Sequence, residues 1–265
     1  MTAALIAKYA AFSRISVAQA RRERGELYGR AAFFVVILGV FSSLWRAAAE
    51  AGMPVAADSR ALVWYLAATE WILLSTPQIH LDVQEAIRRG DVIYRLGRPA
   101  SYVIAELAAG FGLLAVRAPL LALTAFLWAF GFTGWIPSAR ALVMLVPFGL
   151  VAAALMTALH LWIGLLAFWL EEVSPVYWLW QKAMFVLGGL MLPLELYPHF
   201  VQRAAAFTPF PAMLAEPASL LLRHDAAAPA ALARHLALWR GVRALVDLSA
   251  RRIGVGDQRW VAETI

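Results

Sequence analysis

The side chains able to do chemistry in this chain are few and scattered. Four charged residues fall inside long apolar runs: Glu70, Glu106, Arg117 and Lys182. A charge in hydrocarbon is costly, so such residues turn inward, pair with one another, or line a polar path. Matched by depth, Glu70 pairs with Arg117 and Glu106 with Lys182. These pairs read either as the polar lining of a transport path or as structural ion pairs. Glu106 and Lys182 lie close enough to span ends to snorkel. The rest forms no catalytic pattern. His80, His160, His199, His224 and His235 show no metal-ligand spacing such as HExxH. Glu171 and Glu172 are adjacent, and adjacent helical residues do not share a face. A P-loop needs Gly-Lys followed by Ser or Thr, but the only lysines stand in Lys8-Tyr9 and Lys182-Ala183. Cysteine is absent, which excludes disulfides, thiolate metal sites and Cys nucleophiles. No catalytic residue, metal site or cofactor is therefore expected in this chain.

The elements that must position these residues are membrane helices. Hydrophobic residues make up 62% of the chain and charged ones 15%, against nearer half and a quarter in soluble domains. A span takes ~20 apolar residues, so the chain holds about five or six spans and little else. The spans are expected at 31–49, 61–79, 99–132, 140–170 and 176–194. The third is longer than a bilayer needs, which predicts tilt or a protruding end. Gly52, Pro54 and Asp58 mark a loop, Gly134 and Pro137 a short turn, and Glu171 to Pro175 a tight connection. A stretch at 230–252 is helical in pattern, with Leu238, Trp239 and Val242 on one face. Arg234, Arg240, Arg243 and Asp247 interrupt it, so it spans only if its polar face is covered.

Two segments flank this frame. In residues 1–29, Leu5, Ile6, Tyr9 and Phe12 fall on one side of a helix, opposite Arg14 and Arg21. This predicts a basic amphipathic helix lying in the membrane surface. In residues 195–228, repeated prolines divide the chain into short apolar helices at one face. The net charge of +6 is explained by span flanks rather than by nucleic acid. With the N-terminus inside and six spans, Lys and Arg number 13 inside against 5 outside, which orients the N-terminus to the cytoplasm.

The polar segment at 80–98 carries the most information. His80 to Arg89 forms a short amphipathic helix with Val83, Ala86 and Ile87 on one side and Asp82, Glu85 and Arg89 elsewhere. Arg88 and Arg89 occupy its last turn, and Gly90 follows as a cap. Pro99 suits the first turn of the next helix. A capped helix between two spans on the cytoplasmic side is what a membrane domain needs to touch a cytoplasmic partner.

Two motifs carry a resemblance. Ile87-Arg88-Arg89-Gly90-Asp91 through Arg95-Leu96-Gly97-Arg98-Pro99 resembles a signature of the short type-2 ABC exporter permeases that lack a fused ATPase. Trp178 to Lys182, Gly188 to Pro198 and Pro209-Phe210 resemble a second stretch of the same branch. Together they anchor residues 10–225. The resemblance implies an all-α membrane fold and a single domain over 1–265. It has an N-terminal interfacial helix, six spans, a coupling helix between the second and third, and short external helices between the fifth and sixth. It also implies two ATPase subunits holding ATP and magnesium, and a second permease chain, like or unlike. Asp82, Val83, Glu85, Ile87, Arg88, Arg89, Gly90, Asp91, Arg98 and Pro99 would contact the ATPase. The expected setting is a bacterial inner membrane, and the expected function is ATP-driven export. An intramembrane lipid-modifying enzyme and a non-transporting scaffold are the alternatives. The former needs an acid or histidine cluster at one membrane face, and the sequence displays none.

Overall fold

A computed structural model describes residues 3–53, 58–96, 100–222, 237–245 and 248. Among them the chain is helical and contains no strand. The order is α1 (Ala3–Arg22), α2 (Arg24–Glu50), α3 (Ser59–Ser75), α4 (Ile79–Arg88), α5 (Val92–Leu96), α6 (Tyr102–Thr133), α7 (Ala139–Leu165) and α8 (Ser174–Leu187). Three short helices follow: α9 (His199–Ala206), α10 (Phe210–Met213) and α11 (Ala215–Ser219). Residues 237–245 are helical. Most of the proposed final span, including Arg234, His235, Asp247 and Arg251, lies outside the described residues.

Among the described residues three helices are long and apolar enough to cross a membrane: Arg24–Glu50, Tyr102–Thr133 and Ala139–Phe168. Local chemistry sets their ends. Asp58 accepts the Ala61 N–H to cap α3, and Ser138 accepts the Ala141 N–H to cap α7. Gly134 closes α6 with φ +63°, a conformation that favours glycine. At 32 residues α6 is about 48 Å long, well beyond a hydrocarbon core of about 30 Å. The sequence expectation of an over-long third span is met.

The core is built around α3, whose face from Leu62 to Ile72 is buried throughout. It packs against α2, α6 and α7. Trp71 lies over Gly149 of α7, where an added Cβ would come 2.3 Å from the indole ring. The Trp71 Nε1 donates to the Ala118 carbonyl of α6 at 2.9 Å.

One expectation is corrected. The fifth span was expected to run to 194, but α8 ends at Leu187 after 14 residues, about 21 Å. Gly189 takes φ +65° and breaks the helix. Its exposed carbonyls are then satisfied from α3: the Tyr65 hydroxyl donates to Gly189 O and the Thr69 hydroxyl to Leu190 O, both at 2.6 Å. Broken backbone at this depth survives only where protein supplies such partners. In α1, Ile6 and Ile15 are exposed. The helix lies along the first half of α6 through Tyr9, Ser13 and Ala20. The Ser13 hydroxyl donates to Ala108 O at 2.6 Å, and Ser101 N–H donates to the Tyr9 hydroxyl at 3.0 Å. Gly112 makes the approach possible, because a Cβ there would sit 2.5 Å from Ser13 O. Small residues that admit a neighbouring backbone decide this contact, rather than the largest apolar ones.

Candidate functional site

The site is assembled around α4. Its Ile79, His80, Val83, Gln84 and Ala86 are buried, while Asp82, Glu85, Arg88 and Arg89 are exposed. Gly90 at φ +77° turns the chain out of the helix toward α5. Glu85 and Arg89 form a surface ion pair at 2.6 Å, a contact that adds little stability. The buried face is held at three points. Gly164 of α7 lets α4 approach so closely that a Cβ there would lie 2.9 Å from His80 Cα. The Gln84 Oε1 accepts the Val173 N–H at 2.7 Å, tying α4 to the connection before α8. The His80 ring stacks on Tyr177 of α8 at 3.8 Å between centroids. His160 stands 5.3 Å from His80 and donates from Nδ1 to the Pro77 carbonyl at 3.0 Å. Burial, reinforced by His160 nearby, pushes the His80 imidazole down to about 3.

Two cavities bear on the site, one against α4 and one reaching its N-cap, Gln78. The first, about 550 Å³, is lined by Asp82, Glu85, Arg89, Arg95, Glu106 and Arg117 among others. Its charges are cross-linked. Glu26 is bonded by Arg117 at 2.6 Å and by Arg30 at 2.9 Å, and Arg95 bonds Glu106 at 2.7 Å. Burial raises the Asp82 carboxyl, while the positive fields of Arg117 and Arg95 act against that rise. The second cavity, about 650 Å³, lies between α2, α3 and α8 and contains Glu70. The two share Glu26, Arg30 and Gln78 on their rims.

The pairing by depth is therefore wrong in both members. Arg117 meets Glu26, 91 residues away in sequence, and Glu106 meets Arg95. Lys182 joins neither cavity. It lies exposed on α8 over the rings of Trp178 and Phe185, at 5.2 and 5.4 Å. Glu70 is 4% exposed and has no hydrogen bond or ion pair among the described residues. Val83 is buried on α7, Ile87 is half-buried, and Asp91 is exposed beside the first cavity. Arg98 and Pro99 lie outside the described residues. Three contributors went unread: Glu26, the His80–Tyr177–His160 ring cluster, and the hydroxyls of Tyr65 and Thr69. Only the helical periodicity of α4, which turns His80 to the same side as Val83, pointed to any of them. Among the described residues no group of three His, Cys, Asp or Glu is placed to hold a metal.

Long apolar helices joined by a short amphipathic helix with a free charged face define a multi-pass membrane protein. Residues 69–243 match the family described as ABC-2 family transporter protein, and the chain belongs to that family. Its members are membrane transport chains that generally work with ABC ATPases. A comparison with curated proteins found no match.

Proposed function

We propose that this chain is the permease subunit of an ATP-driven exporter in a bacterial inner membrane. It carries six spans, with its N-terminus in the cytoplasm. In this reading α2, α3, α6, α7 and α8 are the first five spans, and the helical stretch around 237–245 belongs to the sixth. The exposed Ile6 and Ile15 of α1, beside Arg14, Arg21 and Arg22, suit the membrane surface. The short helices α9 to α11 are external. Two ATPase subunits hold the ATP and magnesium, and a second permease chain completes the path.

The observation that carries this reading is the mounting of α4. Its outer face offers Asp82, Glu85, Arg88 and Arg89, together with Gly90 and Asp91, to a partner; the resemblance adds Arg98 and Pro99, which lie outside the described residues. Its inner face, through Val83, Ile87 and the His80 ring, bears on α7, α8 and their connection. A push on α4 is thus delivered to two spans at once. Closure of the ATPase pair would move α4 and rock the two permease chains between inward- and outward-open forms. Glu70, Glu106 and Arg117 lie beside the moving parts.

Charge reversal of Glu85, Arg88 and Arg89 together tests this. The expected result is loss of transport with weakened co-purification of the ATPase. Normal co-purification, normal ATP turnover and undiminished transport would remove the coupling role. Because the chain has no cysteine, single cysteines placed at positions 85 and 200 report sidedness directly by impermeant labelling.

A further inference from the structure

Glu70 is the one intramembrane acid in this chain that the described fold leaves without a counter-charge. Glu106 has Arg95, and Glu26 has both Arg30 and Arg117. Glu70 sits one helical turn and a half from the end of α3, 4% exposed, and it forms part of the wall of the 650 Å³ cavity. A cavity of this volume suits a small organic molecule. Its walls near Glu70 are Phe33, Ile37 and Phe41 from α2, Leu73 and Leu74 from α3, and Phe185 from α8. The other polar groups are uncharged or already engaged. The Thr76 hydroxyl donates to the Ile72 carbonyl, and Gln78 donates to the Tyr177 hydroxyl. Gln181 adds one amide.

We infer that this cavity is a binding site for an organic cation carrying an apolar body. The inference rests on the permease reading only for calling such a ligand a cargo. The lining holds two carboxylates: Glu26 is held by Arg30 and Arg117, whereas Glu70 has no counter-charge among the described residues, and in an apolar wall such an acid is expensive and a cationic ligand compensates it. The rings of Phe33 and Phe41 in the lining add attraction for a cation at close range. An anion meets only repulsion at Glu70, since Arg30 is already bound to Glu26 at the rim. A bare divalent metal is a poor fit, because magnesium and calcium require six or more oxygens and the lining offers two carboxylates, one of them, Glu26, already bound by arginines.

Binding can be measured on the full chain in neutral dodecyl-maltoside micelles, without the ATPase. Tetraphenylphosphonium and tetraphenylborate share size and apolar surface but differ in sign. The expected result is saturable binding of tetraphenylphosphonium above empty micelles, with tetraphenylborate at least ten-fold weaker. Glu70→Gln should weaken the cation at least ten-fold, Glu70→Asp less, and Glu106→Gln not at all. Added phosphatidylethanolamine that displaces the cation identifies a lipid ammonium as the ligand; no displacement identifies a soluble cation. Equal binding of the two ions, equal binding by Glu70→Gln, or no saturable cation binding would overturn the proposal. If Glu70→Gln fails to fold, the comparison of the two ions and of Glu70→Asp still decides. Loss of coupling at α4 is read separately, by transport. Intact cation binding with normal transport in the α4 charge-reversal variant would sink the coupling reading and leave this site standing.

Discussion

The cavity beside α4 and the cavity around Glu70 share Glu26, Arg30 and Gln78 on their rims and differ in how their charges are held. In the first, acids and bases alternate: Glu26 is gripped by two arginines from different helices, and Glu106 by Arg95. In the second, Glu70 stands unpaired among the described residues, with phenyl and aliphatic side chains in the same lining. The same residue type thus has two uses. Where an acid finds an arginine across a helix interface, it joins helices. Where the fold supplies none, it is left for something that arrives. The lesson is that depth along a span does not choose the partner. The direction in which the helix turns its face does.

This contrast can be attacked at its strongest point first. Glu26→Gln removes the ion-pair partner of the buried Arg117, whose Nε and Nη1 have no other bond among the described residues. Losing one member of a buried pair costs ~3–5 kcal/mol. Glu26 is 42% exposed and solvent screens its end of the pair, so about 2 kcal/mol is expected here. It would be seen as a marked fall in the melting temperature of the purified protein. The double variant Glu26→Gln/Arg117→Met should recover at least half of it. No fall in the single variant would mean that the network joins nothing.

The wall between the two regions offers the next test. Tyr177 lines the Glu70 cavity and stacks on His80 of α4. The folded imidazole is held down to about 3 by burial, while the unfolded one takes a proton near 6.5. The unfolded state therefore binds the extra proton throughout the window between these values, and stability is lost as pH falls through it. Each unit within the window costs at most ~1.4 kcal/mol, so about 2 kcal/mol should disappear between pH 7 and pH 5. His80→Phe should flatten that dependence. An unchanged slope in the variant would assign the acid sensitivity elsewhere.

The smallest effect is the most discriminating. Glu70→Gln exchanges a lone buried carboxylate for an amide of the same shape. It should leave stability unchanged or raise it by about 1 kcal/mol, because an uncompensated charge costs more to bury than an amide. A loss of 2 kcal/mol or more on thermal unfolding would show that Glu70 has a structural partner, and the contrast between the cavities would collapse.

Much of the frame was legible in the residues. The helical period of Ile79 to Arg89, with Gly90 behind it, defined α4 and its two faces. Asp58 in its loop and Gly134 in its turn marked breaks between helices, through chemistry that acts within a few residues. The over-long third span followed from counting apolar residues. The partners did not follow. Arg117 and Glu26 are 91 residues apart, and Tyr65 reaches Gly189 across 124. The docking face of α1 does not follow from hydrophobicity alone. The contact depends instead on what Gly112 lacks.

By itself the sequence determined a membrane-embedded helical chain without a P-loop or cysteine chemistry, and a capped amphipathic helix between two apolar ones. Those features arise from local propensity and from the transfer of apolar segments out of water, both of which sum over neighbours in the chain. Only the tertiary structure decided where α8 breaks, which arginine meets which acid, and that Glu70 meets none. Those outcomes depend on the rotation of each helix about its axis and on close contacts that a few glycines permit, and neither is encoded in hydropathy.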